Sequence, residues 1–383
     1  MPPMNLRGLS SRFPFALLPL ASLVGCGGTS SSAAAAPPGT DGGADGPHAT
    51  TDGGGSDAPA ANVTPIKVPD DKWTWVDFPE SRCGNGKPTG IGVNPHAGAT
   101  RMVIFLQGGG ACFDGTTCWG ASPTAVNIAS GYDAASFAGE FTIDAEAFQR
   151  GAAQNPFKDA IYVFVPYCTG DVHVGTNIAQ YQFNGAAKPT YHFGGKNVDL
   201  FSASLAAAFK GLDRVWLMGV SAGGFGTWLN QDFVVRAFGG IRVDLVDDSG
   251  PAIDNAGVAA AAKASWGARF PPGCSDCNTA ITKTFLYDRM TYPQSRFGFL
   301  SFQTDTTLPG FYAESQQAFA AQLVTFEQSL TSDPNAKSFV ALTSGHVVFI
   351  PTLASSDPAA YNALFPWLTK MATDDPTWAS EQN

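Results

Sequence analysis

Short apolar runs without polar alternation set the strongest limit on this fold. Arg101-Met-Val-Ile-Phe-Leu106, Ala160-Ile-Tyr-Val-Phe-Val165, Arg214-Val-Trp-Leu-Met218, Arg242-Val-Asp-Leu-Val246, Arg296-Phe-Gly-Phe-Leu-Ser-Phe302 and Ser338-Phe-Val-Ala-Leu342 are rich in β-branched and aromatic residues. A strand with one face in water alternates apolar and polar side chains, whereas a strand apolar throughout is covered on both faces. Between the runs lie helix-like segments, Val198 to Lys210, Ala222 to Arg236, Tyr312 to Leu330 and Pro358 to Met371. This alternation predicts an α/β fold. Its central sheet is mostly parallel, helices cover both faces, and functional groups sit at the carboxyl ends of the strands.

The amino-terminal stretch stands apart from that pattern. Residues 1–25 hold no acidic residue, carry Arg7 and Arg12, and run apolar from Phe13 to Val24, the composition of an export signal too short and too interrupted by Pro to span a bilayer. The signal ends Leu23-Val24-Gly25-Cys26, which resembles the lipobox of bacterial lipoproteins. Acylation of Cys26 would make a lipid anchor the only membrane contact; ordinary signal cleavage with Cys26 incidental is the alternative. Residues 26–64 are Ala, Gly, Ser, Thr, Pro and Asp, with almost no large apolar side chain to offset the entropy of ordering, and read as a flexible tether. The Asp-Gly repeats from Asp41 and from Asp52 lack the ligand spacing and closing Glu of a calcium loop, so no metal is expected there. Residues 65–383 remain as the folded domain.

Charge narrows the partners. With 22 Lys and Arg against 32 Asp and Glu, the net charge of -10 offers no clustered basic face for nucleic acid. A hydrophobic share of 44% against 14% charged suits a large packed core and excludes global disorder. Setting Cys26 aside leaves an even set, Cys83, Cys112, Cys118, Cys168, Cys274 and Cys277, which in an exported chain suggests disulfides with the pairing open. Cys274-Ser-Asp-Cys277 alone could be a redox or zinc site. Without a second such pair or a nearby His it reads as a small loop-closing bridge.

Gly219-Val220-Ser221-Ala222-Gly223 carries the chemistry. It follows a strand run and precedes a helix, the context of a nucleophile elbow, where small neighbours let a Ser hydroxyl project above the sheet beside a helix amino terminus. A bland Gly-rich turn is the competing reading. A nucleophilic Ser needs a general base, and in α/β-hydrolases the order is Ser, acid, His. Of the 5 His, at 48, 96, 173, 192 and 346, only His346 lies beyond Ser221. Asp305, at the end of the strand run preceding the His, is the preferred acid; Asp248, in Asp247-Asp248-Ser249-Gly250, is the alternative unless it structures a loop through its side chain. The strand at Arg101 runs into Gly108-Gly109-Gly110-Ala111, whose backbone could approach a substrate carbonyl. The N–H groups of Gly109 or Gly110 and of Ala222 are the expected oxyanion donors. No Gly-Lys-Ser/Thr follows to make it a phosphate loop.

The ordered set Gly108-Gly-Gly-Ala-Cys112 with Thr117-Cys118, Val165-Pro-Tyr-Cys168 with Asp171-Val172, Gly219-Val-Ser-Ala-Gly-Gly224, Asp248-Ser-Gly250 and Ser344-Gly-His346 resembles the pectin acetylesterase family. The resemblance runs from about Cys83 to His346 and implies an α/β-hydrolase-like fold with the triad Ser221, Asp305 and His346. It further implies bridges Cys112–Cys118 and Cys83–Cys168, leaving Cys274 with Cys277. Plant members typically carry Trp where this chain has Ala111, which removes a stacking surface for sugar beside the Gly-rich loop. The stretch from Cys168 to Phe193, with His173, Tyr181, Phe183 and Tyr191, reads as aromatic loops that either line the substrate pocket or pack as core.

The expectation is therefore an exported serine esterase, lipid-anchored at the cell envelope or secreted, that needs no cofactor or metal and removes O-acetyl groups from polysaccharide. The same triad acting on longer acyl chains or polyesters is one alternative. A catalytically silent glycan-binding surface lipoprotein is the other.

Overall fold

The computed structural model describes residues 63–349 and 357–383; the expected export signal, Cys26 and nearly all of the expected tether lie outside them. A nine-stranded sheet runs in the order β1-β2-β4-β3-β7-β8-β9-β10-β11. Its strands are β1 Thr74–Phe78, β2 Thr89–Asn94, β3 Arg101–Leu106, β4 Ile161–Val165, β7 Arg214–Val220, β8 Arg242–Asp248, β9 Phe297–Asp305, β10 Ala336–Gly345 and β11 Glu381–Gln382. From β4 to β11 every neighbour pairs parallel, and the two antiparallel pairings, β1 with β2 and β2 with β4, lie at one edge. A separate hairpin joins β5 Asn177–Phe183 to β6 Ala186–His192. The sheet is the mostly parallel one expected from the apolar runs, and the fold is α/β-hydrolase-like, as the resemblance implies.

Alternation along β3 explains why its strand must be apolar throughout. Met102, Ile104 and Leu106 enter one core with Phe201, Leu205, Trp228 and Leu229, while Val103 and Phe105 enter the other with Leu364, Phe365 and Trp367. Successive side chains of a strand point to opposite faces, so helices Gly194–Ala208 and Ala222–Ala237 cover one face and Pro358–Ala372 the other.

Two expectations are corrected. The stretch from Cys168 to Phe193 is not loop alone: the β5–β6 hairpin lies within it, turning at Asn184 and Gly185, both with positive φ. An Asn-Gly pair is suited to that left-handed turn. The helix expected from Tyr312 to Leu330 is broken, because Ala313 adopts a left-handed φ of 54° that ends Leu308–Tyr312, and Ser315 then caps Gln316–Leu330 by accepting from the Ala318 N–H. The cysteines pair Cys83–Cys168, Cys112–Cys118 and Cys274–Cys277.

A charged network closes the amino edge of the sheet. Arg214, Arg242 and the amide of Arg296 converge on fully buried Asp244, and the Arg214 and Arg296 guanidiniums reach carbonyls at the end of helix Pro358–Ala372. Polar anchoring at that edge leaves the carboxyl edge for chemistry.

One buried carboxyl makes stability depend on pH. Glu327 accepts from Ser301 Oγ at 3.0 Å, and burial pushes its pKa up to about 7 against the opposing hydrogen bond. A carboxyl with a raised folded-state pKa binds more protons folded than unfolded, so its contribution is lost as pH rises through that value. Glu327→Gln is expected to stabilise the protein by about 2–3 kcal/mol near pH ~8 and by less than about 1 kcal/mol near pH ~5, read by urea denaturation. An equal effect at both pH values would contradict a raised Glu327 pKa.

Candidate active site

Ser221 sits between β7 and helix Ala222–Ala237 with φ 53° and ψ −119°, a conformation that costs a non-glycine residue roughly 1–3 kcal/mol. Its neighbours explain how the turn closes. A Cβ on Gly219 would lie 2.2 Å from the Gly223 carbonyl oxygen, and one on Gly223 would lie 2.0 Å from the Leu106 carbonyl oxygen of β3. Only glycine lets the helix approach both strands this closely. The Ser221 N–H donates to the Asp248 carbonyl at 2.7 Å, tying the turn to β8.

His346 follows β10 and Asp305 ends β9, and the parallel register sets Gly345 opposite Asp305. An irregularity in that register between Ala341 and Ser344 re-aims the end of β10. The imidazole then bridges two groups, with Nε2 2.8 Å from Ser221 Oγ and Nδ1 2.8 Å from Asp305 Oδ2. Asp305 Oδ1 accepts from the Thr307 and Leu308 N–H groups, each at 2.8 Å, so the carboxylate is fixed before it meets the ring. Asp305 is buried, and a carboxylate at Nδ1 favours the tautomer whose Nε2 is free to accept the Ser221 proton.

Asp248 lies elsewhere. Its Oδ2 accepts from the Phe349 N–H at 2.6 Å and its Oδ1 from Ser249 Oγ at 2.8 Å, not from the imidazole. Burial raises its pKa to about 6 against these donors, and burial together with the Asp248 charge raises that of Asp247.

The glycine loop lies beside Ser221. Gly109 and Gly110 have φ of 145° and 78°, and the loop is pinned by Val126 N–H to Gly109 O at 2.9 Å and Ala111 N–H to Thr124 O at 3.1 Å. Ala111 N–H is thus engaged, while the N–H groups of Gly109, Gly110 and Ala222 meet no backbone acceptor among the described residues. Ala222 is the first residue of its helix, where an N–H has no intrahelical partner. Gln107 fixes the base of the loop, donating its N–H to Val165 O and accepting the Tyr167 N–H on Oε1.

A cavity of about 350 Å³ opens at Ser221, Gly110 and Ala222. Its walls are apolar, including Phe225, Val258, Trp266, Ile281, Leu308 and Phe311. Sequence reasoning missed these walls because they come from scattered segments with no shared spacing. Of the aromatic stretch, only Val172 reaches the cavity. His173 is buried with Nε2 on the Gln107 carbonyl at 2.9 Å, Tyr181 Oη meets His192 Nε2 at 2.8 Å, Phe183 packs near Cys112 and Cys118, and Tyr191 lies under Gly86. The structure therefore gives these residues to packing. The candidate metal groupings, Cys112, Cys118 and His192, and Cys274, Asp276 and Cys277, have their sulfurs in disulfides and offer no thiolate ligand.

The chain is similar to proteins of known name. The chain is 29% identical over 182 residues to the human palmitoleoyl-protein carboxylesterase NOTUM and 31% identical over 182 residues to notum1a of Danio rerio, in each case over 45% of this chain and 34% of the relative. The chain thus spans about a third of the length of the curated relatives it matches, at 34%. The Wnt deacylase Notum from Drosophila shares the fold, with a TM-score of 0.53 at 19% identity over 73% of this chain and 86% of that one. The family profile described as pectinacetylesterase matches residues 72–269, which hold the glycine loop and the Ser221 turn and stop short of Asp305 and His346. That match takes in more than half of the sequence, and the chain belongs to the pectinacetylesterase family.

Proposed function

We propose that the protein is a serine carboxylic-ester hydrolase. The carrying observation is the continuous hydrogen-bonded path from Ser221 Oγ through His346 to Asp305 beside a glycine loop with unengaged N–H groups. Ser221 Oγ attacks the ester carbonyl while His346 Nε2 takes its proton, and Asp305 holds the ring and stabilises the imidazolium. The tetrahedral oxyanion is received by the N–H groups of Ala222 and of Gly109 or Gly110, and one such donor is worth about 3–4 kcal/mol in a well-studied protease. His346 then protonates the departing alcohol, and water cleaves the acyl group from Ser221 by the reverse sequence.

The cavity favours a longer acyl group over acetyl. Pockets of about 300 Å³ and upward hold whole small ligands, so an acetyl group would leave most of this one empty. Its walls offer no cluster of polar side chains for sugar, and Ala111 supplies no aromatic surface at the loop. The human and zebrafish relatives, named as palmitoleoyl-protein carboxylesterases, point the same way. Removal of O-acetyl groups from polysaccharide is the competing reading drawn from the family. Export is favoured by the disulfides, with residues 1–25 as signal, Cys26 as lipid anchor, 26–64 as tether and 65–383 as catalytic domain. Among the described residues no helix is long and apolar enough to cross a membrane.

Ser221→Ala is expected to lower kcat on a p-nitrophenyl ester by about 10⁴-fold or more with the fold intact. Asp305→Asn is expected to lower it by about 10³–10⁴-fold, as a mis-set tautomer does. Full activity in either variant would refute the assigned roles. Across acetyl to octanoyl p-nitrophenyl esters, kcat/KM should rise about 2–4-fold per methylene as each buried CH₂ contributes up to about 0.8 kcal/mol. A maximum at acetyl would restore the deacetylase reading.

A further inference from the structure

The triad leaves one conspicuous motif unused, Asp248-Ser249-Gly250, and the backbone beside His346 shows what it does. Val347, directly after the imidazole, has φ 63°, and Ser249 has the same value. A β-branched residue in the left-handed region is a genuine outlier that survives only where its surroundings over-determine it. We infer that Asp248 and Ser249 form a positioning pair that clasps the backbone of residues 347–349 and so sets the imidazole of His346 against Ser221.

The clasp is a short chain of hydrogen bonds. Val347 N–H donates to Ser249 Oγ at 3.2 Å, Ser249 Oγ donates to Asp248 Oδ1 at 2.8 Å, and Phe349 N–H donates to Asp248 Oδ2 at 2.6 Å. The Val348 amide also bonds the Asp248 carboxylate, so the two side chains hold the loop through successive amides, and a buried carboxylate is the stronger acceptor for the work. The same residue holds the nucleophile: the Asp248 carbonyl accepts the Ser221 N–H at 2.7 Å, and Val220 faces Asp248 in the β7–β8 register. Ser249 N–H donates to the Leu300 carbonyl of β9 at 2.9 Å, fixing the pair to the sheet. The end of β8 is therefore the common support of two groups that reach the site from distant parts of the chain. The pair touches no reacting atom, and its effect passes through His346.

This inference rests on the esterase reading, and its test separates the two. Wild type, Ser221→Ala, Ser249→Ala, Asp248→Ala, Asp248→Asn and the Asp248→Ala/Ser249→Ala double variant are assayed on one p-nitrophenyl ester, with melting curves to establish folding. A misplaced base is expected to lower kcat by about 10- to 100-fold in Ser249→Ala and Asp248→Ala while KM stays within about 2-fold. Asp248→Asn, which retains one acceptor oxygen, should recover part of the loss. The double variant should be no worse than Asp248→Ala within about 2-fold, because both side chains act as one unit. Amide hydrogen exchange should quicken at Val347 in Ser249→Ala and at both Val347 and Phe349 in Asp248→Ala. Wild-type kcat in folded Ser249→Ala, or a loss expressed in KM alone, would overturn the positioning role. If Asp248→Ala does not fold, the removal of the single Ser249 hydroxyl decides. Wild-type turnover that survives Ser221→Ala would instead overturn the esterase assignment itself, and the positioning role with it.

Discussion

The close approach of helix Ala222–Ala237 to strands β3 and β7 is the constraint on which the site depends. Gly223 lies where any side chain would strike the Leu106 carbonyl, and Gly219 where it would strike Gly223. That contact forces the chain to reverse within one residue, and Ser221 takes the strained conformation that results. Strain of this kind persists because the surroundings fix it from several sides. Here those sides are a fully buried strand before it, a helix after it, and the Asp248 carbonyl holding its amide. The hydroxyl is therefore presented by the packing of the whole sheet rather than by a mobile loop.

Electrostatics divides the molecule along the strands. At the amino edge, arginines at the starts of β7 and β8 and just before β9 meet Asp244 and the carbonyls at the end of helix Pro358–Ala372. At the carboxyl edge, Asp248 and Asp305 are buried and are held by amide, hydroxyl or imidazole donors, while buried Asp247 accepts one amide, from Gly250, and burial pushes its pKa up. A buried carboxylate is tolerable only when such donors replace water. The amides that satisfy Asp248 and Asp305 also fix backbone segments, so the cost of burying acids at this edge and the rigidity of the site have one origin. Asp305 thereby orients the imidazole while Asp248 orients the chain that carries it.

The parts of this arrangement that read clearly in the sequence are those written in contiguous residues. The run Arg101 to Leu106 is β3 without adjustment, and β7 and β8 extend past their apolar runs because Gly219, Asp247 and Asp248 stay in the ladder despite being small or acidic. The antiparallel edge was illegible: Gly90 and Gly92 deny β2 an apolar run, yet they are required because Val76 O and the Phe137 ring lie against them. The hairpin had a usable signal in Asn184-Gly185, masked by the expectation of aromatic loops. Ser221, His346 and Asp305 were legible through chain order and strand ends, whereas the cavity walls come from separate segments that only the tertiary fold brings together. The role of Asp248 was ambiguous for the same reason, since its partners Phe349 and Val347 lie far along the chain.

The central claim is that Ser221 is a nucleophile activated by His346. The most direct measurement is reaction of the purified domain with a fluorophosphonate, followed by peptide mass mapping, in wild type and His346→Ala. The account predicts a single stoichiometric adduct on the peptide containing Ser221, formed at least about 100-fold more slowly without the imidazole, as general-base assistance implies. A well-folded wild-type protein that gives no adduct, or an adduct at another residue, would contradict it.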